Sequence, residues 1–526
     1  MKKTTKMLSV ICVTCLVGAL AAGCGSNNAS KSTQNTQSPQ STQQAKVSPV
    51  AFDIFFNMAI PEYPQTGGEA KAKVIQQMEK AGIQGVDYKV NVLGGDEYLT
   101  KLNLLASSGS LPDYFSVDSK TLAQYVEQGL LRPIDDLLAK APNLMKVVPK
   151  ERWEGVKFNG KIYAIPFGVR PETFNSPNTA GLVLRQDWLD NLGLKQPTNL
   201  DELHDVLKAF TMNDPDKNGQ KDTYGLGGNK MSMFNSVFGA FGSALVSPGT
   251  TGPVYWTEKD GKIVKSFVTP EAKQALAVLQ KWYKEGLIDP EFPVMEIKQA
   301  DSRVVNSKVG AFEGDVFAVD PKGTQVSTAL AQATPTAKLS MIVPPKGPNG
   351  KQGMPEVNPF SGGNLRAISA KAKDPERLIK MLDWSVSDEA NGGINLVTYG
   401  EDNVDYTFDK DKNLITQKSS YTDLYKKGFS NPIRFVQVTD RRWTNETVRG
   451  ALDISSKYLL KNALWKTVPA ELDYPDLEKK LWTEYFVKIV TGEWSVDKFD
   501  EFVQKYYQQG GQKIEQQANE EWKKNK

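Results

Sequence analysis

"VAFDIFFNM" (residues 50–58), "EAKAKVIQQMEKAGI" (69–83) and "GVDYKVNVL" (85–93) follow one another, and their order decides the fold class. The first is a compact apolar run of strand length. The second sets Val74, Ile75 and Met78 at helical spacing, and the third alternates, with Val86, Tyr88, Val90 and Val92 on one face. "DEYLTKLNLLASSGSLPDYFSVDS" (96–119) continues the pattern. Leu99, Leu102 and Leu105 share a helix face, Gly109 stops it, and "DYFSV" is a further strand. Strand–helix–strand–helix–strand predicts a parallel sheet with helices on both faces, an α/β fold.

Downstream the chain is more helical. In "PTNLDELHDVLKAF" (197–210), Asn199 caps a helix, Glu202 stands three residues on, and Leu200, Leu203, Leu207 and Phe210 form the buried face. The end, "WSVDKFDEFVQKYYQQGGQKIEQQANEEW" (494–522), gives two helices interrupted at Gly510 and Gly511. Trp282 and Trp482 sit at helical spacing among apolar neighbours and read as packing.

Upstream, Lys2, Lys3 and Lys6 precede an apolar run from Met7 to Ala22, too short to span a membrane and placed where a secretory signal belongs. Ala21, Ala22 and Gly23 lead into Cys24 in a pattern that resembles a bacterial lipobox. Residues 1–23 are therefore expected to be a lipoprotein signal and Cys24 to be lipidated. The only other cysteines, Cys12 and Cys15, lie inside that signal, so a disulfide framework is excluded. Residues 24–47, rich in Ser, Gln, Asn and Thr, read as a disordered tether. The chain carries 64 basic and 61 acidic side chains; without the three signal lysines the balance is 61 to 61, which gives a nucleic-acid partner no support. About 480 residues follow the tether, enough for two or three lobes of about 100–200 residues each.

Five segments then appear in order: "ASSGSLPDYFSV" (106–117), "VKFNGKIYAIPFG" (156–168), residues 182–226 from "LVLRQDW" to "DTYGL", "WYKEGLIDPEF" (282–292) and residues 490–522. With the lipobox, they resemble the family 1 extracellular solute-binding proteins of carbohydrate ABC importers, in their long lipoprotein branch. The resemblance implies a two-lobed, class II periplasmic-binding-protein-like fold with hinge crossovers and a helical C-terminus. Lobe one would be residues 48–165 plus about 365–435; lobe two would be 166–364 plus about 436–526. "YAIPFG" (163–168) matches the first crossover, and "NPFSGGN" (358–364) is placed at the second. The implied partners are an oligosaccharide, the membrane subunits of an ABC permease and, through Cys24, the outer face of the cell membrane. The protein is expected to be monomeric and to catalyse nothing. The alternatives are a tethered carbohydrate-active enzyme and a surface glycan sensor or adhesin.

Chemistry-bearing residues are sparse. The one histidine, His204, lies on the polar side of its helix, and nucleophilic triads or multi-histidine zinc sites lack material. Sugar recognition needs flat apolar faces with planar hydrogen-bonding groups. Candidate contacts at strand ends and crossovers are Tyr63, Asp118, Phe167, Arg170, Trp256, Glu313 and Asp315. Arg185 reads as structural.

"NDPDKNGQKDTYG" (213–225) spaces Asp214, Asp216, Asn218, Gln220 and Asp222 as the first, third, fifth, seventh and ninth places of an EF-hand loop, with Gly219 sixth. The twelfth place, where a bidentate glutamate belongs, is Gly225; Thr223 is tenth. A structural calcium ion held by Asp214, Asp216, Asn218, Gln220, Asp222 and Thr223 is expected, against the alternative of a polar Asx turn. "DKDKN" (409–413) copies only the first half and reads as a hairpin turn.

Overall fold

The computed structural model describes residues 48–169, 180–230, 234–246, 254–356, 365–438 and 441–524. In the first sheet β1 (Val50–Asn57), β2 (Val86–Leu93) and β3 (Tyr114–Val117) run parallel with β1 central. Alternation in β1 explains its two-sided packing: Phe52, Ile54 and Phe56 are fully buried on one face, while Phe55 meets Tyr98 of the helix after β2 on the other, 4.5 Å between ring centroids. The helices α1 (Gly68–Lys80) and α2 (Gly95–Ser107) make the crossovers that parallel strands require. They bury Val74 and Met78, and Tyr98 and Leu102. The helix α3 (Ser119–Glu127) follows β3, and β4 (Ala164–Pro166) closes this stretch of the chain.

The second sheet is formed by β5 (Ala180–Arg185), β6 (Tyr224–Leu226), β7 (Val309–Asp315) and β8 (Leu339–Met341), in the order β8-β5-β7-β6. β7 runs parallel to β6 and antiparallel to β5. Chain then returns to the first sheet as β9 (Leu365–Ile368), antiparallel to both β3 and β4, giving the order β2-β1-β3-β9-β4. Mixed direction in both sheets departs from the all-parallel reading, because these late strands enter from outside the βαβ units.

Two large cores follow. One contains Phe52 to Val169 together with Leu365 to Val438. The other joins residues from Leu182 to Ile342 with Leu464 to Trp522. In the second core Trp482, fully buried, packs against Phe267, Phe486 and Phe502 at 5.3–5.9 Å. Lys498–Tyr506 passes into Gln512–Lys524 through a wide turn in which Gly510 takes φ +134°. Arg185 is structural, bidentate to Asp187 at 2.7 and 2.9 Å with its guanidinium over Trp188. Residues 409–413 turn the hairpin between Tyr406–Asp409 and Leu414–Gln417.

The helix α4 (Leu200–Met212) leads into the acidic loop, and its start is built as the spacing predicts. Asn199 accepts the Glu202 amide at 2.9 Å, and Glu202 accepts the Thr198 amide at 2.8 Å. Asn199→Ala is expected to lower the unfolding free energy by about 1 kcal/mol, read from denaturant midpoints at constant m-value.

Candidate functional site

The connections between the sheets locate the site. Pro166 is level with Val117 across Leu365, at the carboxyl edge of the parallel strands, and Ala180 pairs with Asp315 at the carboxyl edge of β7. The first connection therefore links one carboxyl edge to the other. The second re-enters at Leu365, and the third leaves near Val438, which bridges Val169. Carboxyl edges are where α/β sheets bind ligands, because loops and helix starts converge there.

The sequence-chosen residues fare unequally. Asp118 lies at the first edge, but its carboxylate caps α3, accepting the Thr121 amide at 2.6 Å. Asp315 is exposed at the second edge and accepts the Phe317 amide at 2.8 Å. Glu313 accepts the Ser236 amide at 2.5 Å and Asn235 Nδ2 at 3.3 Å. Each acid thus has local backbone work besides any ligand. Phe167 is covered by the Arg366 guanidinium, 3.8 Å from its ring centre, leaving 7% of the residue exposed. Tyr63 is 5% exposed, and its hydroxyl has no hydrogen-bond partner. It borders a groove of about 970 Å3 along α2 and the end of β1, lined also by Phe55, Met58, Leu93 and Leu105. Trp256 is a correction. It is 2% exposed, part of the second core and stacked under the Lys265 ammonium at 4.2 Å, so its ring faces are already occupied. Arg170, Cys24 and residues 358–364 lie outside the described residues.

Next to Trp256 the alternation turns Tyr255 toward a junction the sequence reading missed. Its hydroxyl donates to the Glu356 carbonyl, and its ring meets Trp465 edge-on at 5.4 Å. Trp465 also packs against the first core, and Arg152 stands 4.0 Å from the Glu356 carboxylate. These residues come from four separate segments, and no local spacing announces them.

Burial pushes the Glu313 carboxyl up to about 7, while the bonds donated by Ser236 and Asn235 pull the other way. A folded pKa above the unfolded one means that the native state holds its proton more tightly. The resulting stability is complete below about pH 4 and is lost as pH rises through 7. Glu313→Gln removes that dependence but also the charge-assisted bonds. Its midpoint relative to wild type should therefore improve by about 1–2 kcal/mol between pH 5 and pH 8.

The acidic loop is tightly turned, with Asp214, Lys217 and Gly219 at φ +48°, +56° and +76°. Asp214 accepts the Asn218 and Gly219 amides, both at 3.0 Å. Asn218 Nδ2 donates to Asp216 at 2.9 Å and Asp222 at 3.3 Å, drawing both carboxylates toward one point. Asp216 Oδ1 is buried without a partner. Burial, then the neighbouring acids, push the Asp216 carboxyl up. Asp222 is held down chiefly by the Lys308 ammonium beside it. Thr223 is committed elsewhere: it is 4% exposed and its hydroxyl donates to the Phe210 carbonyl at 2.8 Å, tying the loop to α4. Gly225 explains the missing twelfth ligand, since a Cβ there would stand 2.5 Å from the Leu207 carbonyl oxygen. Among the described residues no group of three or more His, Cys, Asp or Glu converges as a metal cluster. The donor set still suits a hard cation: three carboxylates, an amide whose oxygen and nitrogen exchange on rotation, and one buried oxygen with no partner.

The sequence profile of the bacterial extracellular solute-binding proteins matches residues 63–392, more than half of the chain. The chain belongs to that family. The polygalacturonan/rhamnogalacturonan-binding protein YtcQ of Bacillus subtilis is 28% identical over 444 residues, 81% of this chain and 83% of the relative. Alginate-binding protein AlgQ2, solved without calcium ion, matches with a TM-score of 0.64 at 20% identity, over 91% of this chain and 99% of that one. The substrate-binding protein FusA of Streptococcus pneumoniae, solved with kestose and as an EF-hand mutant with fructo-nystose, gives 0.64 at 20% identity, over 91% and 100%. The fold is the two-lobed periplasmic-binding-protein-like one, α/β with a helical C-terminus.

Proposed function

We propose that this solute-binding protein captures an oligosaccharide between its two lobes and delivers it to the membrane subunits of an ABC importer. The observation that carries the reading is the joining of two α/β sheets at their carboxyl edges, with aromatic, carboxylate, amide and guanidinium groups gathered there. YtcQ and FusA, as named, bind oligomeric carbohydrates, which supports a chain of sugars as ligand. Residues 48–165 with about 365–435 form lobe one; 166–364 with about 436–526 form lobe two. The signal, residues 1–23, is removed, Cys24 carries the lipid, and residues 24–47 tether a monomer to the outer face of the membrane. Two acyl chains suffice for stable anchorage where one does not. Ligand stabilises the closed form, which the permease recognises.

Asp118, Glu313 and Asp315 remain contact candidates at the two edges, with Tyr63, Phe167 and Arg170. The chain performs no covalent step. Its one histidine is engaged at the surface by Glu285 at 2.5 Å, which supports that reading. Calcium is bound by Asp214, Asp216, Asn218, the Gln220 carbonyl and Asp222, and stiffens the start of lobe two; Thr223 holds the loop in place. Calcium supplies charge neutralisation there and nothing to the transport cycle. A thermal-shift screen against pectin fragments, alginate oligomers and fructo-oligosaccharides tests the function, since bound sugar raises the melting temperature by mass action. Chromatography of the same mixtures after long incubation should return them uncleaved; shortened products would replace transport by hydrolysis.

A further inference from the structure

A second cluster at the edge of lobe one matches none of the sequence-chosen contacts except Tyr63. The segment after β1 is pressed against α5 (Tyr421–Lys427) and the chain beyond it. Contact is at backbone distance: a Cβ on Gly68 would stand 2.5 Å from the Lys427 carbonyl oxygen, and one on Gly428 2.1 Å from that of Gly67. Residues 434–438 in turn join the first connection, with Val169 donating to the Gln437 carbonyl at 2.9 Å and Arg434 Nη2 to that of Val438 at 3.1 Å. The cluster therefore lies next to the chain segment at Val169 that leaves the first sheet.

It lies at the margin of the first core and adds polar groups to it. Tyr421 and Tyr425, one helical turn apart and half-buried, have centroids 6.2 Å apart and ring planes inclined by 28°. The Arg434 guanidinium acts on both phenols, opposing the upward push of burial, and the Asn431 amide lies against the Tyr425 hydroxyl. Yet Asn431 Oδ1, Arg434 Nε, Ser430 Oγ and the hydroxyls of Tyr63 and Tyr88 are all buried without a hydrogen-bond partner. Native interiors leave few such atoms, so five in this region call for an external set of donors and acceptors. A sugar ring offers that set: hydroxyls that both donate and accept, around an apolar C–H face that stacks on tyrosine.

We infer that Tyr421, Tyr425, Asn431 and Arg434, with Tyr63 opposite, form a subsite for one ring of the bound oligosaccharide. This rests on the oligosaccharide reading given above. The tyrosine pair takes the C–H face of the ring, and Asn431 Oδ1 and Arg434 Nε read its hydroxyls. Occupancy also holds the segment after β1 against α5.

Isothermal titration of the full mature chain with galacturonate and fructose oligomers of increasing length tests the subsite. Wild type should tighten with each added unit until its subsites are filled. Asn431→Ala and Arg434→Gln should each weaken the tightest-binding oligomer about tenfold. They should also bring the plateau one unit earlier, with urea midpoints close to wild type; a merely structural role would lower the midpoint and leave the length profile in place. Wild-type affinity and plateau in both variants would overturn the subsite while leaving the oligosaccharide function standing. Failure of wild type to bind either series, or alginate oligomers, would overturn the oligosaccharide reading and the subsite with it.

Discussion

Calcium at about a hundred times its dissociation constant should stabilise the metal-stripped protein by about 2.7 kcal/mol, a rise of a few degrees in melting temperature for lobes of this size. The reason lies in the loop's own charges. Asp214, Asp216 and Asp222 sit within nine residues; two backbone amides serve Asp214, while the Asn218 side-chain amide and the Lys308 ammonium partly offset the other two. Asp216 has a buried oxygen that nothing in the loop satisfies. Asp216→Ala should erase the calcium response while leaving the melt in chelator near that of wild type, because this carboxylate forms no ion pair. Asp222→Ala should erase the response and also melt lower in chelator, since it breaks the contact with Lys308. Sugar specificity should survive both. Identical melts in chelator and in calcium, with no metal by elemental analysis, would leave the loop as a polar turn.

Lys265→Met should be more damaging, about 3–5 kcal/mol at pH 8. Lys265 is 1% exposed and lies 2.9 Å from Glu471 and 3.0 Å from Glu478, with Glu515 and the Tyr506 and Tyr507 phenols packed around the same point. The cluster fastens the strand Lys262–Lys265 to the C-terminal helices. Burial pushes the Glu478 carboxyl up, and Lys265 is what draws it back. Removing the ammonium strands a buried carboxylate pair. Because Glu478 has its folded pKa above the unfolded one, its contribution is favourable at low pH and is lost as pH rises. The damage from Lys265→Met should therefore shrink at pH 5, where Glu478 is protonated, and grow toward pH 8. Adding Glu478→Gln should recover part of the loss at pH 8 and little at pH 5, a coupling that denaturant melts of the four variants measure directly. A penalty independent of pH would assign the effect to lost packing over Trp256 alone.

The opening strands and helices were legible because their signals are local. Val74 and Met78, or Phe52, Ile54 and Phe56, sit at the period of the element they form, and Asn199 with Glu202 sits at the spacing of a helix start. The acidic loop was legible for the same reason: its donors come from consecutive odd places. What it lacks was not legible, since the bar to a ligand at Gly225 is the Leu207 carbonyl of the preceding helix. Trp256 misled because its neighbourhood reads as an irregular turn, whereas the hairpin to Lys265 folds its ring inward. Tyr255, one residue away, carries the opposite face and the contact to Glu356. A period of two sends such neighbours to opposite faces, and because both are buried here it does not say what each face meets.

The sequence alone determined the α/β class, the family, the near balance of 64 basic and 61 acidic side chains and the donor spacing of the acidic loop, all of which depend on the order of residues over a few turns or on composition. Only the tertiary structure decided which sheet edges are joined, which acids are spent on capping amides, and which polar atoms are buried without partners. Those outcomes depend on segments hundreds of residues apart, such as Gly67 with Gly428 or Arg152 with Glu356. Packing fixes their meeting, and no local pattern encodes it.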